Sequence, residues 1–151
     1  MEIELQWHDI VSNLILLGVA YLLALPIGWE RERSSHAAGL RTFPLVAVAV
    51  CGYMLIGMSM FADDEARSRV IQGLLTGIGF IGGGVILKND ASVRGLATAA
   101  AIWSTGAIGL GVATQRFEIA ILLSLLTLVT LRLLEPLKAY IHRQPPSEKD
   151  E

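Results

Sequence analysis

The chain has 151 residues, of which 53% are hydrophobic and 17% are charged, whereas a soluble domain has about 45–50% and about 25%. This composition indicates a membrane protein. The net charge of −2 offers no basic surface for nucleic acid, and the single cysteine, Cys51, excludes a disulfide framework and a CxxC metal or redox motif.

Five apolar stretches are long enough to cross a bilayer, at residues 10–28, 43–61, 70–87, 96–113 and 117–134. The first four are uncharged, and the fifth has Glu118 and Arg132 near its two ends, where charged side chains are tolerated. The residues before the first stretch are acidic and lack Lys and Arg, the reverse of a signal peptide, so we predict a retained span. The predicted fold class is all-α integral membrane, a bundle of about five Gly-rich transmembrane helices. One membrane domain covers 1–140, and a short polar cytoplasmic tail covers 141–151.

The basic residues are divided unequally between the two sides that these spans define. One side receives nine of them and the other three. The nine are Arg31, Arg33, Arg41, Lys88, Arg94, Arg132, Lys138, Arg143 and Lys149, and the three are Arg67, Arg69 and Arg116. Because basic residues concentrate in cytoplasmic loops, we predict that the N-terminus is outside and the C-terminus is cytoplasmic.

The third stretch contains GIGFIGG, a G-x-G-x-x-G motif, at residues 77–83. Such a motif binds dinucleotides only between a strand and a helix, with an acidic residue about 20 positions further on. Here no Asp or Glu lies between Asp90 and Glu118, and the motif is inside an apolar stretch. Nucleotide binding is therefore not expected.

Small residues at helical spacing are typical of helices that pack closely in membranes. Two faces of the predicted third helix carry them. One face has Gly73, Gly77 and Gly84, and the other has Gly79, Gly82 and Gly83. We predict that this helix packs between two neighbours; the alternative is an unwound segment at a substrate site, as in transporters.

Two charged segments share the predicted cytoplasmic side: GWERER with GLRT, at 28–33 and 39–42, and KNDASVRG, at 88–95. A solvated loop with charged anchors would account for most of these residues. Glu30 and Arg94, however, lie at the ends of apolar stretches and need partners if they are drawn into the bundle. We predict an ion-pair network among Glu30, Glu32, Arg41 and Arg94, which would make Arg94→Ala more damaging than Arg33→Ala.

The segments GWERE, AGLRT, GIGFIGGGVILKND and VRGLATAAAIWSTGAIGLG resemble, in order and spacing, the MgtC/SapB family of bacterial inner-membrane proteins. The resemblance covers residues 10–134. It implies a small multi-pass protein of the inner (cytoplasmic) membrane, associated in pathogens with magnesium limitation, survival inside host cells and virulence. It also implies a regulatory role at other membrane proteins, the ATP synthase among them, rather than established magnesium transport.

The resemblance also implies a functional polar patch. Its residues are Glu30, Glu32, Arg41, Asn89, Asp90, Arg94 and Thr98. Two departures limit the transfer: Ala97 stands where a polar Thr or Asn is expected, and many relatives carry a C-terminal ACT-like domain. Because this sequence stops at Glu151, we do not expect ligand sensing by such a domain.

The polar groups in the middle of the predicted spans are hydroxyls. They are Thr76, Ser104, Thr105, Ser124 and Thr127. Hydroxyls suit hydrogen bonds between helices, whereas Mg²⁺ dehydrates reluctantly and favours carboxylates. This inventory argues against a dedicated metal site.

The three histidines lie in separate polar segments, and the sequence has neither an HExxH motif nor a Ser, His and Asp set. We therefore expect no enzyme, no cofactor and no bound metal. The predicted function is packing in the lipid bilayer against a second copy or another inner-membrane protein. The alternative is a small oligomeric cation channel or transporter, because backbone carbonyls also bind ions.

Overall fold

A computed structural model describes residues 7–34, 38–89 and 92–141, and for residues 89, 92 and 135–141 it describes the backbone alone. It contains five helices and two short strands. The helices are α1 (Trp7–Ser34), α2 (Thr42–Met60), α3 (Asp64–Gly84), α4 (Leu96–Ala113) and α5 (Phe117–Ile141), and the strands are β1 (Leu87–Asn89) and β2 (Ser92–Arg94). The predicted helical membrane fold is confirmed, with one helix at each apolar stretch. Residues 142–151 of the predicted tail lie outside the described residues.

Four of the described helices are long and apolar enough to cross a membrane: α1, α2, α4 and the Phe117–Leu134 part of α5. The exception is α3, whose first two turns carry Asp64, Glu65, Arg67 and Arg69. Its uncharged remainder, residues 70–84, reaches roughly 22 Å at 1.5 Å per residue, against a hydrocarbon core of about 30 Å. The predicted third span, 70–87, is also wrong at its end, because the helix stops at Gly84.

The centre of the bundle is α4, which contacts each of the other four helices. Its Ile102 and Ile108 are fully buried, as are Ala24 of α1 and Ala47 of α2. Small residues allow this close approach: a Cβ at Gly109 of α4 would overlap the Ala47 carbonyl oxygen. The core is therefore built from α1, α2 and α4, with backbone packed against backbone.

Helix α5 is held to this core partly by hydroxyl groups. The Ser124 hydroxyl donates to the Leu23 carbonyl oxygen of α1 at 2.7 Å. Ser104 of α4 and Thr127 of α5 share a hydrogen bond of 2.5 Å. Bonds between helices, predicted for the hydroxyls, are thus confirmed at these three residues. Two further hydroxyls, those of Thr76 and Thr105, instead bond carbonyl oxygens of their own helices.

The segment between α3 and α4 is a β-hairpin, which the sequence analysis did not predict. Its strands are antiparallel, with Leu87 opposite Arg94 and Lys88 opposite Val93. Gly95 ends the hairpin with a positive φ of 89°, and a Cβ there would overlap the carbonyl oxygen of Val85. Glycine is therefore required at this turn, which sets where α4 begins.

Candidate functional site at the Arg-rich end

The Arg-rich end is the end of the bundle at which α1 and α3 finish, α2 and α4 begin, and the hairpin lies. It carries Arg31, Arg33, Arg41, Lys88, Arg94 and Arg132, whereas the opposite end carries Arg67, Arg69 and Arg116. Most residues of the predicted polar patch lie here. Asp90 is outside the described residues, and the side chain of Asn89 is not described.

Glu30 pairs with a residue that the sequence analysis did not connect to it. Its Oε2 accepts a hydrogen bond from Nε of Arg132 in α5, at 2.8 Å. The Glu30 side chain is 13% exposed and that of Arg132 is 53% exposed, so the carboxylate depends on this cation for its pairing. Both residues lie near the ends of spans that run in the same direction, and this equal depth is the signal that could have found the pair.

Glu32 holds the loop that leads into α2. Its Oε2 accepts a hydrogen bond from the backbone N–H of Leu40 at 3.1 Å. A Cβ at Gly39 would overlap this carboxylate. The Glu of the GWERE segment and the Gly of the AGLRT segment therefore form one local structure.

A second contact joins the same two segments. Gly28 of α1 lies against the loop, and a Cβ there would be 3.2 Å from the Gly39 carbonyl oxygen and 3.3 Å from Cβ of Phe43. These distances are shorter than ordinary van der Waals contact, so a side chain at residue 28 would push α1 and the start of α2 apart. The glycine allows the two helices to meet at the Arg-rich end.

Arg31 is a buried residue that the sequence analysis treated as a surface anchor. It is only 8% exposed, and its Nε has no hydrogen-bond partner among the described residues. Ala20, Ala24 and Ile27 share its face of α1, which points into the core. The spacing of four, three and four residues along this face was the available signal.

The predicted network among Glu30, Glu32, Arg41 and Arg94 is wrong, because Glu30 and Glu32 find the other partners given above. Arg41 and Arg94 are exposed, and neither has an ion-pair partner within the described part of the chain. Arg41 is the N-cap residue of α2 without a side-chain cap bond, and Arg94 lies at the end of β2. Their guanidinium groups are therefore available to ligands or partners.

Thr98, another residue of the predicted patch, lies in the first turn of α4 and is 2% exposed. The N-cap of α4, Gly95, supplies no side-chain hydrogen bond. Thr98 is thus part of the packed interior of the bundle, one turn below the surface where Arg41 and Arg94 lie. The patch is divided into a packed part and an exposed part.

The glycines of α3 differ from their predicted role. Only Gly82 lies near another helix, where a Cβ would be 3.5 Å from the Ala99 carbonyl oxygen of α4. The other five have open space at the Cβ position: Gly73, Gly77, Gly79, Gly83 and Gly84. These five glycines therefore pack against no other helix within the described part of the chain, because the bundle turns only the Ile78 and Gly82 face of α3 inward. Their packing against a partner outside the chain stays a prediction.

The described residues hold no group of three His, Cys, Asp or Glu side chains that could bind a metal ion. The chemistry at the Arg-rich end is that of exposed guanidinium groups beside a bundle of apolar helices. These features define the class of protein, a polytopic α-helical membrane protein with basic groups collected at one end.

The sequence profile of the MgtC family matches residues 17–140, so the chain belongs to the MgtC family. It is 36% identical over 141 residues to a Synechocystis protein named "Uncharacterized protein slr0014", covering 93% of this chain and 58% of that protein. It is 39% identical over 103 residues to "Protein MgtC" of Brucella abortus, covering 68% and 43%. It is 36% identical over 136 residues to "Putative magnesium transporter YhiD" of Escherichia coli K12, covering 85% and 62%.

The chain spans between about two fifths and three fifths of the length of these three relatives. No solved structure matches it significantly.

Proposed function

We propose that the protein is a non-enzymatic, multi-pass protein of the bacterial inner membrane that regulates by packing α3 against a second membrane helix. The observation that carries this proposal is the outer stripe of α3, defined as Gln72, Thr76, Gly79 and Gly83. These residues share one face of the helix and are all exposed. Family membership supports a link to low magnesium or to intracellular survival.

The outer stripe suits a protein neighbour better than lipid. Gly79 and Gly83 are four residues apart and face open space, which permits close contact with another helix backbone. Glycine in a helix costs roughly 0.5–1 kcal/mol relative to alanine, and a close helix contact offsets this cost. Gln72 adds an amide that can hydrogen-bond across such a contact.

The partner is a second copy of this chain or another inner-membrane protein, of which the ATP synthase is one candidate by family resemblance. The Arg-rich end lies in the cytoplasm in this proposal, supported by the excess of Lys and Arg at that end. Regulation then consists of a change in the partner that follows from docking on α3.

The proposal is tested by energy transfer between labelled copies in liposomes. We compare the wild type with a variant carrying Gly79→Leu and Gly83→Leu, and with Gly18→Leu as a matched control. Gly18 of α1 also faces open space, so both variants add bulk without a clash inside the chain. We expect association in the wild type and the control, and at least about tenfold weaker association in the double variant, from the loss of close contact.

If the wild type is monomeric in liposomes, the test is repeated in living cells with a photocrosslinking residue at position 79 or at position 18. A protein crosslinked at 79 and not at 18 supports docking on the outer stripe. If position 79 captures no protein and the wild type is monomeric, the proposal is wrong.

The second candidate is a small oligomeric cation channel or transporter, which the printed name of the Escherichia coli relative favours. Purified protein in proteoliposomes, loaded in parallel with a Mg²⁺ reporter and a pH reporter, separates the two functions. We expect no flux above empty liposomes. Specific flux that is abolished in the variant carrying Gly79→Leu and Gly83→Leu would show that the function is transport through an oligomer rather than regulation.

A further inference from the structure

A groove with a volume of about 810 Å³ runs between α2 and α3. It begins beside Arg41 and Thr42, at the Arg-rich end, and reaches Met60 and Phe61 at the opposite end of α2. Its volume is within the range of about 300–1,000 Å³ that is typical of ligand sites.

The groove is open to the membrane along its length. Leu45, Tyr53 and Ile56 on its α2 side are more than half exposed, and Gly73 and Gly77 on its α3 side have open space where side chains would be. An acyl chain can therefore enter sideways from the bilayer.

The two helices meet closely near the end of the groove that is distant from Arg41. There a Cβ at Gly57 of α2 would lie 3.1 Å from Val70 of α3. This contact narrows the groove at that end, where Gly57 and Val70 both line it.

The lining is apolar except for Arg41, Thr42 and Tyr53, and Arg41 is its one charged residue. No acidic side chain within the described ranges pairs with the Arg41 guanidinium. An occupant that complements this groove has one anionic end and a long apolar remainder. Anionic lipid head groups bind in basic pockets between transmembrane helices.

We propose that this groove binds one anionic phospholipid from the leaflet at the Arg-rich end. The head-group phosphate accepts hydrogen bonds from Arg41, and an acyl chain lies along Leu45 and Tyr53 of α2 and over Gly73 and Gly77 of α3. This site is separate from the outer stripe, because Gly79 and Gly83 lie on a different face of α3. Failure of one proposal therefore leaves the other standing.

The site is tested on the purified, delipidated full chain, titrated with phosphatidylglycerol or phosphatidylcholine and followed by native mass spectrometry. We expect the wild type to prefer phosphatidylglycerol by about fivefold, which is the effect of one basic residue at a membrane surface. Arg41→Gln removes this preference. Arg33→Gln is the matched control, since Arg33 is an exposed arginine at the same end that stacks on Trp29 and lies outside the groove.

The apolar part of the groove is tested by filling it. Gly73→Leu with Gly77→Leu occupies the open space and should weaken binding of both lipids at least tenfold, whereas Gly79→Leu should leave binding unchanged. Circular dichroism establishes that each variant retains its helices.

Three outcomes would overturn the proposal. One is an equal loss of preference in Arg41→Gln and Arg33→Gln, which would mean a diffuse surface charge effect. Another is unchanged binding after the groove is filled. The third is efficient disulfide formation between two chains that carry Tyr53→Cys in a Cys51→Ser background, which would show that a helix of a second copy occupies the groove.

Discussion

Glycines at the centre of the bundle and glycines on α3 have opposite surroundings. In α4, Gly109 lies against the backbone of Ala47, and any side chain there would overlap it. In α3, Gly73, Gly77 and Gly79 have open space at the same position. The same residue type thus brings two helices of one chain together in the core, whereas on α3 it leaves a surface uncovered.

This contrast separates helices whose surfaces are packed within the chain from a helix whose surface is mostly exposed. Helices α1, α2 and α4 bury their core residues against one another, as the fully buried alanines and isoleucines show. Helix α3 is shorter in its apolar part, and most of its surface is exposed. Stability should therefore depend on the core, and function on α3.

The largest expected effect is a loss of stability when the core contact is filled. Gly109→Ala should destabilise the protein by about 1–3 kcal/mol, because the added methyl group forces the backbones of α2 and α4 apart. The measurement is unfolding in detergent, followed by circular dichroism. Gly18→Ala is the control, since its methyl group enters open space. Equal stability of the two variants would remove the distinction between core and surface glycines.

A smaller loss is expected at the junction of α1 and α5. Arg132→Gln leaves the mostly buried Glu30 carboxylate without its cation and should cost about 1 kcal/mol, a value limited by the exposure of Arg132. A double-mutant cycle with Glu30→Gln in the same unfolding assay measures the coupling. Arg94→Gln should change stability by less than about 0.5 kcal/mol. A larger effect at Arg94 than at Arg132 would restore the network predicted from the sequence.

The smallest expected effect is a gain of stability, and it tests whether the exposed glycines of α3 are free of contacts within the chain. Gly79→Ala should stabilise the isolated chain in detergent by about 0.5 kcal/mol, because alanine loses less backbone entropy than glycine in a helix. The same unfolding assay detects it. A loss of stability in the single chain would indicate that Gly79 already packs against its own bundle.

The helices were predictable because their signal is local: the length and apolar composition of a membrane-crossing stretch can be read directly from the sequence. The hairpin was not, since residues 88–95 carry loop-like polarity and their pairing depends on how α3 and α4 are held. The partner of Glu30 is far away in sequence, and only the common depth of Glu30 and Arg132 connects them. The sequence showed which faces of α3 carry glycine, but it did not show which of these faces packs against the rest of the bundle.

At the Arg-rich end, too, local contacts were easier to predict than burial. Glu32 and Gly39 are only seven residues apart in the chain, and their contact follows from a short loop that returns to α1. Arg31 was assigned to the surface because basic residues after a span are normally solvated. Its burial results from the core stripe of α1 continuing one turn beyond the apolar sequence.

The bonds between α1 and α5 have a consequence for synthesis. Leu23 and Glu30 emerge from the ribosome early, but their partners Ser124 and Arg132 follow more than 100 residues later. During this interval the first helix enters the membrane with a carboxylate that has no cation and a carbonyl that has no hydroxyl donor. A nascent chain arrested before α5 should therefore be a preferred substrate for membrane quality-control proteases, and arrival of the last helix is the step that ends this exposure.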